Sequence, residues 1–357
     1  MNLFKSIFNS IITKVSTPLH FREGLGVGLF LLLLLASCGP DGDDSRVKGS
    51  LSGISEASII AFVDDSIVGG SGLADTIKVK RGSFKYDRKV DRPTILTLVY
   101  PNFSTTSLVL KPGKTVKLKG DANRLSEIEV DGNEDNNLLT EFRKHTLGKR
   151  DAEVQREAAT FIRTHAKTMA AVVLFRDIFA NAEVVESNPT ESLLAELQKA
   201  QPKSSSVQYL ATRLKPLLAT APGKKLPAFS TTDTDGKSIT SSAYDGKNVL
   251  IVFCAQWDPS FYNIKRHARE LDDNVASGKL SFLFVSLDTN KQQLVSSNSY
   301  EPLPGRIAYD GKGFDSPLVR KLGMRYISGS LLVGSDGKIK ARDIPCADWV
   351  QKIPALL

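Results

Sequence analysis

The sequence predicts a multi-domain chain of β and α/β class: an N-terminal antiparallel β-sandwich, a helical middle layer, and a C-terminal mixed sheet with helices on both faces. Three observations carry this. From about Arg46 to Asp131, apolar residues alternate with polar ones and no helix-length pattern intervenes. Between about Asn133 and Leu218 the apolar spacing lengthens to that of helices. Beyond Leu226, strand-like runs alternate with helical faces and close on a hairpin, the pattern of a sheet covered on both sides. A length of 357 residues suits two or three such units.

Residues 1–37 read as a signal peptide. The apolar run from Leu29 to Leu35 ends a core of about a dozen residues beginning at Gly24, too short for a bilayer of ~30 Å. It leads into Leu35-Ala36-Ser37-Cys38, which resembles a bacterial lipobox. The resemblance implies cleavage before Cys38, acylation of that residue by several chains, palmitate among them, and stable attachment to a membrane. Residues 38–45 are then the lipidated cysteine and an acidic, turn-prone tether, Gly39-Pro40-Asp41-Gly42-Asp43-Asp44. Acidity at this place resembles the surface-export signal of Bacteroidota lipoproteins. The expected location is the cell envelope, on the outer membrane, at its periplasmic face or the cell surface.

In the β domain, 46–132, Ser58–Val63 is a short apolar run, and Ile77 and Val79 alternate with lysines. Phe84 and Tyr86 alternate again, and Thr94–Tyr100 is rich in β-branched and aromatic residues. Pro112-Gly113 supplies the central pair of a type II turn between Leu108-Val109-Leu110 and the alternating Val116 and Leu118. In the helical region, 133–218, Ala158, Phe161, Ile162 and His165 share one face. A heavily apolar stretch from Met169 to Phe179 follows. Asn188-Pro189-Thr190-Glu191 reads as an N-cap, a first-position proline and a first-turn acid, and Val207, Leu210, Ala211, Leu214 and Leu217 form a last face. Residues 219–225, with Pro222, Gly223 and two lysines, read as a linker.

In the last domain, 226–357, a hairpin turns at Asp235-Gly236 and Asn248–Ala255 is a buried strand. Phe261–Asn274 is a helix and Leu280–Leu287 a second buried strand. A short helix opens at Pro317, Leu331–Val333 pairs with Lys338–Ala341 across Ser335-Asp336-Gly337, and a terminal helix carries Trp349.

Composition excludes several classes. With 41 % hydrophobic and 24 % charged residues the chain is an ordinary globular one. Three cysteines, Cys38, Cys254 and Cys346, cannot build a disulfide scaffold or a four-cysteine zinc site. The formal charge of +8 falls to +6 beyond residue 37. It is spread without runs of five like charges or interleaved aromatics, which argues against nucleic acid as a partner. No Ser-His-Asp order, phosphate loop or HExxH pattern occurs, and His145, His165 and His267 lie at or beside helical apolar faces. No cofactor or metal is expected.

Two resemblances remain. Val79–Phe84, Leu110–Val116 and Val130-Asp131-Gly132-Asn133 resemble the uncharacterised β domain that precedes thioredoxin-like domains in many Bacteroidota lipoproteins. Pro227-Ala228-Phe229, Asp235-Gly236-Lys237, Tyr244-Asp245-Gly246-Lys247 and Val249–Trp257 resemble the opening of the TlpA/ResA group of thioredoxin-like thiol-disulfide oxidoreductases. The second likeness covers roughly Pro222 to Leu357. It implies a strand leading into Cys-x-x-Cys at a helix start, where the first cysteine attacks as thiolate.

This chain departs there. After Trp257 come Asp258, Pro259, Ser260 and Phe261, so Asp258 stands at the nucleophile's position and Phe261 at the resolving cysteine's. Ser328 or Gly329 falls where the family places a cis-proline. Exchange through a mixed disulfide needs sulfur on the enzyme, so this site cannot perform it and no catalytic residue is assigned. Asp258 before Pro259 is instead a strong helix start. Cys254 and Cys346 remain as two inert thiols, a structural disulfide, or, through Cys346 or Cys254, a non-standard oxidoreductase. The leading expectation is a lipid-anchored envelope protein whose redox-inactive thioredoxin-like domain binds or scaffolds an unidentified protein or small ligand. The alternative is an enzyme of the TlpA/ResA type.

Overall fold

The computed structural model describes residues 44–63, 74–182 and 185–357. The expected signal peptide and Cys38 lie outside the described residues. The chain divides into two compact units between Gln208 and Tyr209.

The first unit opens with eight strands: β1 (Asp44–Ser52), β2 (Glu56–Val63), β3 (Ala74–Lys80), β4 (Ser83–Lys89), β5 (Thr94–Val99), β6 (Thr105–Leu110), β7 (Thr115–Asp121) and β8 (Glu129–Asp131). They form one continuous sheet in the order β6-β5-β2-β3-β4-β1-β7-β8, where the alternation had suggested two antiparallel layers. One pair, β1 with β7, is parallel. Alternation cannot reveal either feature, because it records which face of a strand is buried and says nothing of its neighbours. The buried face carries Val47, Ile59, Ile77, Val79, Leu96, Leu98, Leu108, Val116 and Leu118. The Pro112-Gly113 turn forms as expected, with Gly113 at φ +66° and Lys114 N–H donating to Lys111 O at 3.1 Å.

Helix α1 (Glu134–Thr146) lies against both edge strands. Asn136 accepts from Val109 N–H at 2.7 Å and donates to Val109 O at 2.9 Å. Thr140 does the same for Val130, at 2.9 and 2.8 Å. One helix thus satisfies exposed ladder groups at both ends of the sheet, which would otherwise invite further pairing. Helices α2 (Asp151–Thr164), α3 (Met169–Leu174) and α4 (Ser187–Ala200) follow, and α5 (Ser205–Ala219) crosses the boundary, belonging to the second unit from Tyr209 on.

Two local details differ from the sequence reading. Helix α4 begins at Ser187, one residue before the expected cap Asn188, so Pro189 sits third in the helix. It is tolerated there because first-turn N–H groups have no intrahelical acceptor. Helix α3 runs into a π-helical turn, Phe175–Ala180. That turn aims buried Arg176 at the sheet, where it donates to Thr97 Oγ1 at 3.0 Å and Ser107 Oγ at 2.8 Å while its Nε meets Asp177 at 2.8 Å.

The second unit holds the hairpin β9 (Ser230–Thr232) and β10 (Ser238–Thr240), then β11 (Val249–Cys254), α6 (Ser260–Asn274), β12 (Ser281–Ser286), α7 (Lys291–Tyr300), β13 (Arg306–Ala308), α8 (Pro317–Lys321), β14 (Ser330–Val333), β15 (Ile339–Arg342) and α9 (Trp349–Lys352). Its main sheet has the order β13-β12-β11-β14-β15. The first three strands are parallel and the last two antiparallel. Every residue of β11 is buried, and separate apolar clusters cover the two faces of the sheet.

The segment expected as a linker is bonded into this unit. Gly223 N–H donates to Ile339 O at 2.7 Å, Ile339 N–H to Lys224 O at 2.9 Å and Leu226 N–H to Gly337 O at 2.9 Å. Thr220 Oγ1 accepts from Arg342 at 2.6 Å. Proline, glycine and lysines mark 219–225 as exposed and irregular, but they do not stop its backbone from pairing beside β15.

Candidate functional site

The site is built where β11 ends and α6 begins. Buried Asp288, just beyond β12, accepts Gln256 N–H on both carboxylate oxygens at 3.1 Å and Ser286 Oγ–H at 2.8 Å. This fixes the loop leaving β11. Asp258 Oδ1 then accepts Ser260 N–H at 2.8 Å and Ser260 Oγ–H at 2.5 Å. Pro259 precedes the helix at φ −56° and ψ −25°. The carboxylate therefore satisfies a first-turn donor two residues ahead, as a helix cap does.

At the resolving cysteine's position Phe261 is 5 % exposed and packs in the cluster of Cys254, Ile264, Phe284 and Trp349. Lys265, one turn on, lies with its ammonium 5.5 Å from the Phe261 ring centroid. It donates to Ser297 O at 3.0 Å and faces Glu301 at 3.7 Å, so α7 is tied to α6 through a buried amine. Burial pushes the Lys265 pKa down, opposed by the Glu301 carboxylate.

Trp257 points outward, 52 % exposed, and its ring lies 6.3 Å from that of Phe314, itself 57 % exposed. Ser328, at the proline's position, adopts φ +73° and donates its N–H to Phe253 O at 2.9 Å. Its neighbour Gly329 accepts from Phe253 N–H at 2.9 Å, so the loop before β14 is stitched to β11. The half-buried pair Arg342 and Asp343, at 3.0 Å, holds the far end of this loop: Asp343 N–H donates to Ser330 O at 2.6 Å.

The two thiols of the unit are free. Cys254 is fully buried, and burial together with the Asp288 carboxylate pushes its pKa far up. Cys346 is half-buried against the same cluster, and burial raises its pKa as well. A thiol held in its protonated form is a poor nucleophile. Among the described residues no three His, Cys, Asp or Glu side chains gather as a metal site.

The residues read from sequence, Trp257 to Phe261 and Ser328, all lie in the turn between β11 and α6, at the start of α6 or in the loop before β14. Asp288, Lys265 and Phe314 were missed. Asp288 follows a buried strand and Phe314 stands in a polar loop, and neither carries a periodic signal. Lys265 falls on the buried face of a helix, where an apolar residue is expected.

Three parallel strands continued by two antiparallel ones, with helices on both faces, define the second unit as a thioredoxin-like domain. Residues 222–342 match the AhpC/TSA family, and residues 45–139 match a domain of unknown function, DUF4369. No curated protein is similar to the chain at a significant level. Among solved structures, a C-terminal domain described as that of a thiol-disulfide oxidoreductase from Bacteroides thetaiotaomicron is 28 % identical. The match covers 38 % of this chain and 96 % of that one, with a TM-score of 0.36. A thiol-disulfide oxidoreductase from Bacteroides fragilis is 24 % identical over 38 % of this chain and 100 % of its own, with a TM-score of 0.35.

Proposed function

We propose that this chain is a lipid-anchored envelope protein whose thioredoxin-like domain performs no disulfide exchange and serves as a binding or scaffold module. The observation that carries the reading is the chemistry of the strand-to-helix turn. The place of an attacking thiolate is taken by a carboxylate committed to Ser260, and the place of its partner by a phenyl ring buried in the core. Exchange transfers a disulfide from sulfur to sulfur, and neither group can accept it. Burial raises the pKa of both remaining thiols, which lowers the thiolate fraction of each at neutral pH. What the turn presents outward is aromatic surface, Trp257 with Phe314, a composition that favours contact with a partner. Anchoring is supported by Leu35-Ala36-Ser37-Cys38.

The test of the chemistry is capture. Native protein incubated with oxidised glutathione should form no mixed disulfide at Cys254 and only slowly one at Cys346 by intact mass, whereas the denatured chain should form both at once. Rapid capture at Cys346 in the native protein would favour the oxidoreductase reading. The test of anchoring is labelled fatty acid, which should enter the wild type and be absent from Cys38→Ala; equal labelling of both sinks it.

A further inference from the structure

The outward face of the first unit's sheet carries a feature that sequence order hides. On β1 Val47, Gly49 and Leu51 face the core, and the side chains of Lys48 and Ser50 point out. The register sets Lys48 directly opposite Lys85 on β4 and directly opposite Lys117 on β7. Three exposed ammonium groups therefore stand in one row across three adjacent strands, which run about 4.8 Å apart.

On the next rung Ser50 lies between Ser83 and Lys119, and exposed Lys80 and Arg81 border the same corner. The acids nearby are engaged or peripheral. Asp87 pairs with Arg46 at 2.6 Å, Glu129 pairs with Lys144, and Asp131 opposes Lys117 only from the short edge strand β8. No ion pair or hydrogen bond joins the side chain of Lys48, Lys85 or Lys117 to any described residue.

Like charges directly opposite one another weaken a sheet. Lysines on an edge strand guard against unwanted pairing, but β1 and β4 have neighbours on both sides, so that explanation fails here. The row calls for an external anion. The chain indicates which one, because β1, the middle strand of the row, begins at Asp44, six residues after Cys38. Six residues span at most about 22 Å. An acyl anchor at Cys38 would hold this face beside a bilayer and present it with a plane of phosphates.

We propose that the outward face of β4, β1 and β7, through Lys85, Lys48 and Lys117, rests on the anionic phospholipid surface of the membrane that holds the anchor. The proposal rests on the anchoring reading above, and it assigns the β domain the task of fixing the orientation of the chain on that membrane. Attraction of this kind is worth about a fivefold gain in partitioning per lysine and fades when salt shortens its range.

The test uses the chain from Gly39 to Leu357, which keeps every described residue and carries no acyl group, so it reads the face independently of Cys38. At low ionic strength this protein should sediment with vesicles of phosphatidylglycerol and phosphatidylethanolamine and stay in solution with phosphatidylcholine alone. Salt should release it. Lys48→Gln, Lys85→Gln and Lys117→Gln together should lower partitioning about a hundredfold. They relieve like-charge opposition, so folding is not at risk, and circular dichroism checks it. The corresponding arginine triple should restore binding. Lys247→Gln, Lys279→Gln and Lys312→Gln in the second unit should leave it unchanged. The proposal is overturned if the protein ignores anionic vesicles, if the glutamine triple binds as the wild type does, or if the face retains heparin while vesicles are not bound. Fatty-acid labelling of the full chain in cells decides the anchor separately.

Discussion

Replacing Asp258 by alanine separates a structural carboxylate from a reactive one. In the folded protein its Oδ1 accepts Ser260 N–H at 2.8 Å and Ser260 Oγ–H at 2.5 Å. Alanine leaves that first-turn donor without its partner, and capping bonds of this kind contribute about 0.5–2 kcal/mol. The charge near the helix N-terminus adds about 0.3–1 kcal/mol, reduced because the side chain is only half-buried. A loss of about 1.5 kcal/mol is expected, which for a unit of this size lowers the melting temperature by roughly 3–6 °C. Asp258→Asn keeps the acceptor and loses only the charge, so it should cost less than half as much. Thermal unfolding followed by circular dichroism reads both. The reasoning is refuted if asparagine costs as much as alanine, or if alanine leaves stability unchanged while removing a measurable activity.

Other consequences are more local. Phe261→Ala empties a core position 5 % exposed and should cost about 3–5 kcal/mol by urea unfolding; a loss below 1 kcal/mol would mean the ring is not core. Asp288→Ala strips the acceptor from Gln256 N–H and Ser286 Oγ–H and should destabilise by about 1–3 kcal/mol, without change in the spectrum of the first unit. The Arg306 guanidinium, 2.6 Å away, holds the Asp233 carboxyl below the usual carboxylate range. A depressed folded value stabilises above the unfolded pKa of about 3.9 and is lost as pH falls through the folded value. Asp233→Asn should therefore lower stability at neutral pH and match the wild type in strong acid; a gap that persists there would assign the effect to packing. At neutral pH a thiol reagent should leave Cys254 untouched and modify Cys346 slowly, with both reacting at once in denaturant.

How much of this was legible in the sequence differs from element to element. The run Val249–Cys254 announced a strand buried on both faces, and the turns at Gly113, Gly236 and Gly337 were fixed by residues that adopt positive φ. These signals are local, so they survive without knowledge of neighbours. The π-helical turn at Phe175–Ala180 was not legible, because one inserted residue leaves an apolar stretch apolar and only rotates Arg176 toward Thr97 and Ser107. The lysine row was invisible for a different reason: Lys48, Lys85 and Lys117 lie far apart in sequence and meet only through register. At the candidate site, the absence of sulfur at Asp258 and Phe261 was plain from the sequence. The support beneath it, from Asp288 and Lys265, depends on tertiary contacts that no spacing encodes.

The central claim, that the thioredoxin-like domain has no exchange chemistry, meets its most direct test in insulin reduction driven by dithiothreitol. The wild-type chain should precipitate insulin no faster than dithiothreitol alone, and Cys254→Ser with Cys346→Ser should change nothing. Turnover by the wild type at thioredoxin-like rates, abolished by either serine substitution, would contradict the account.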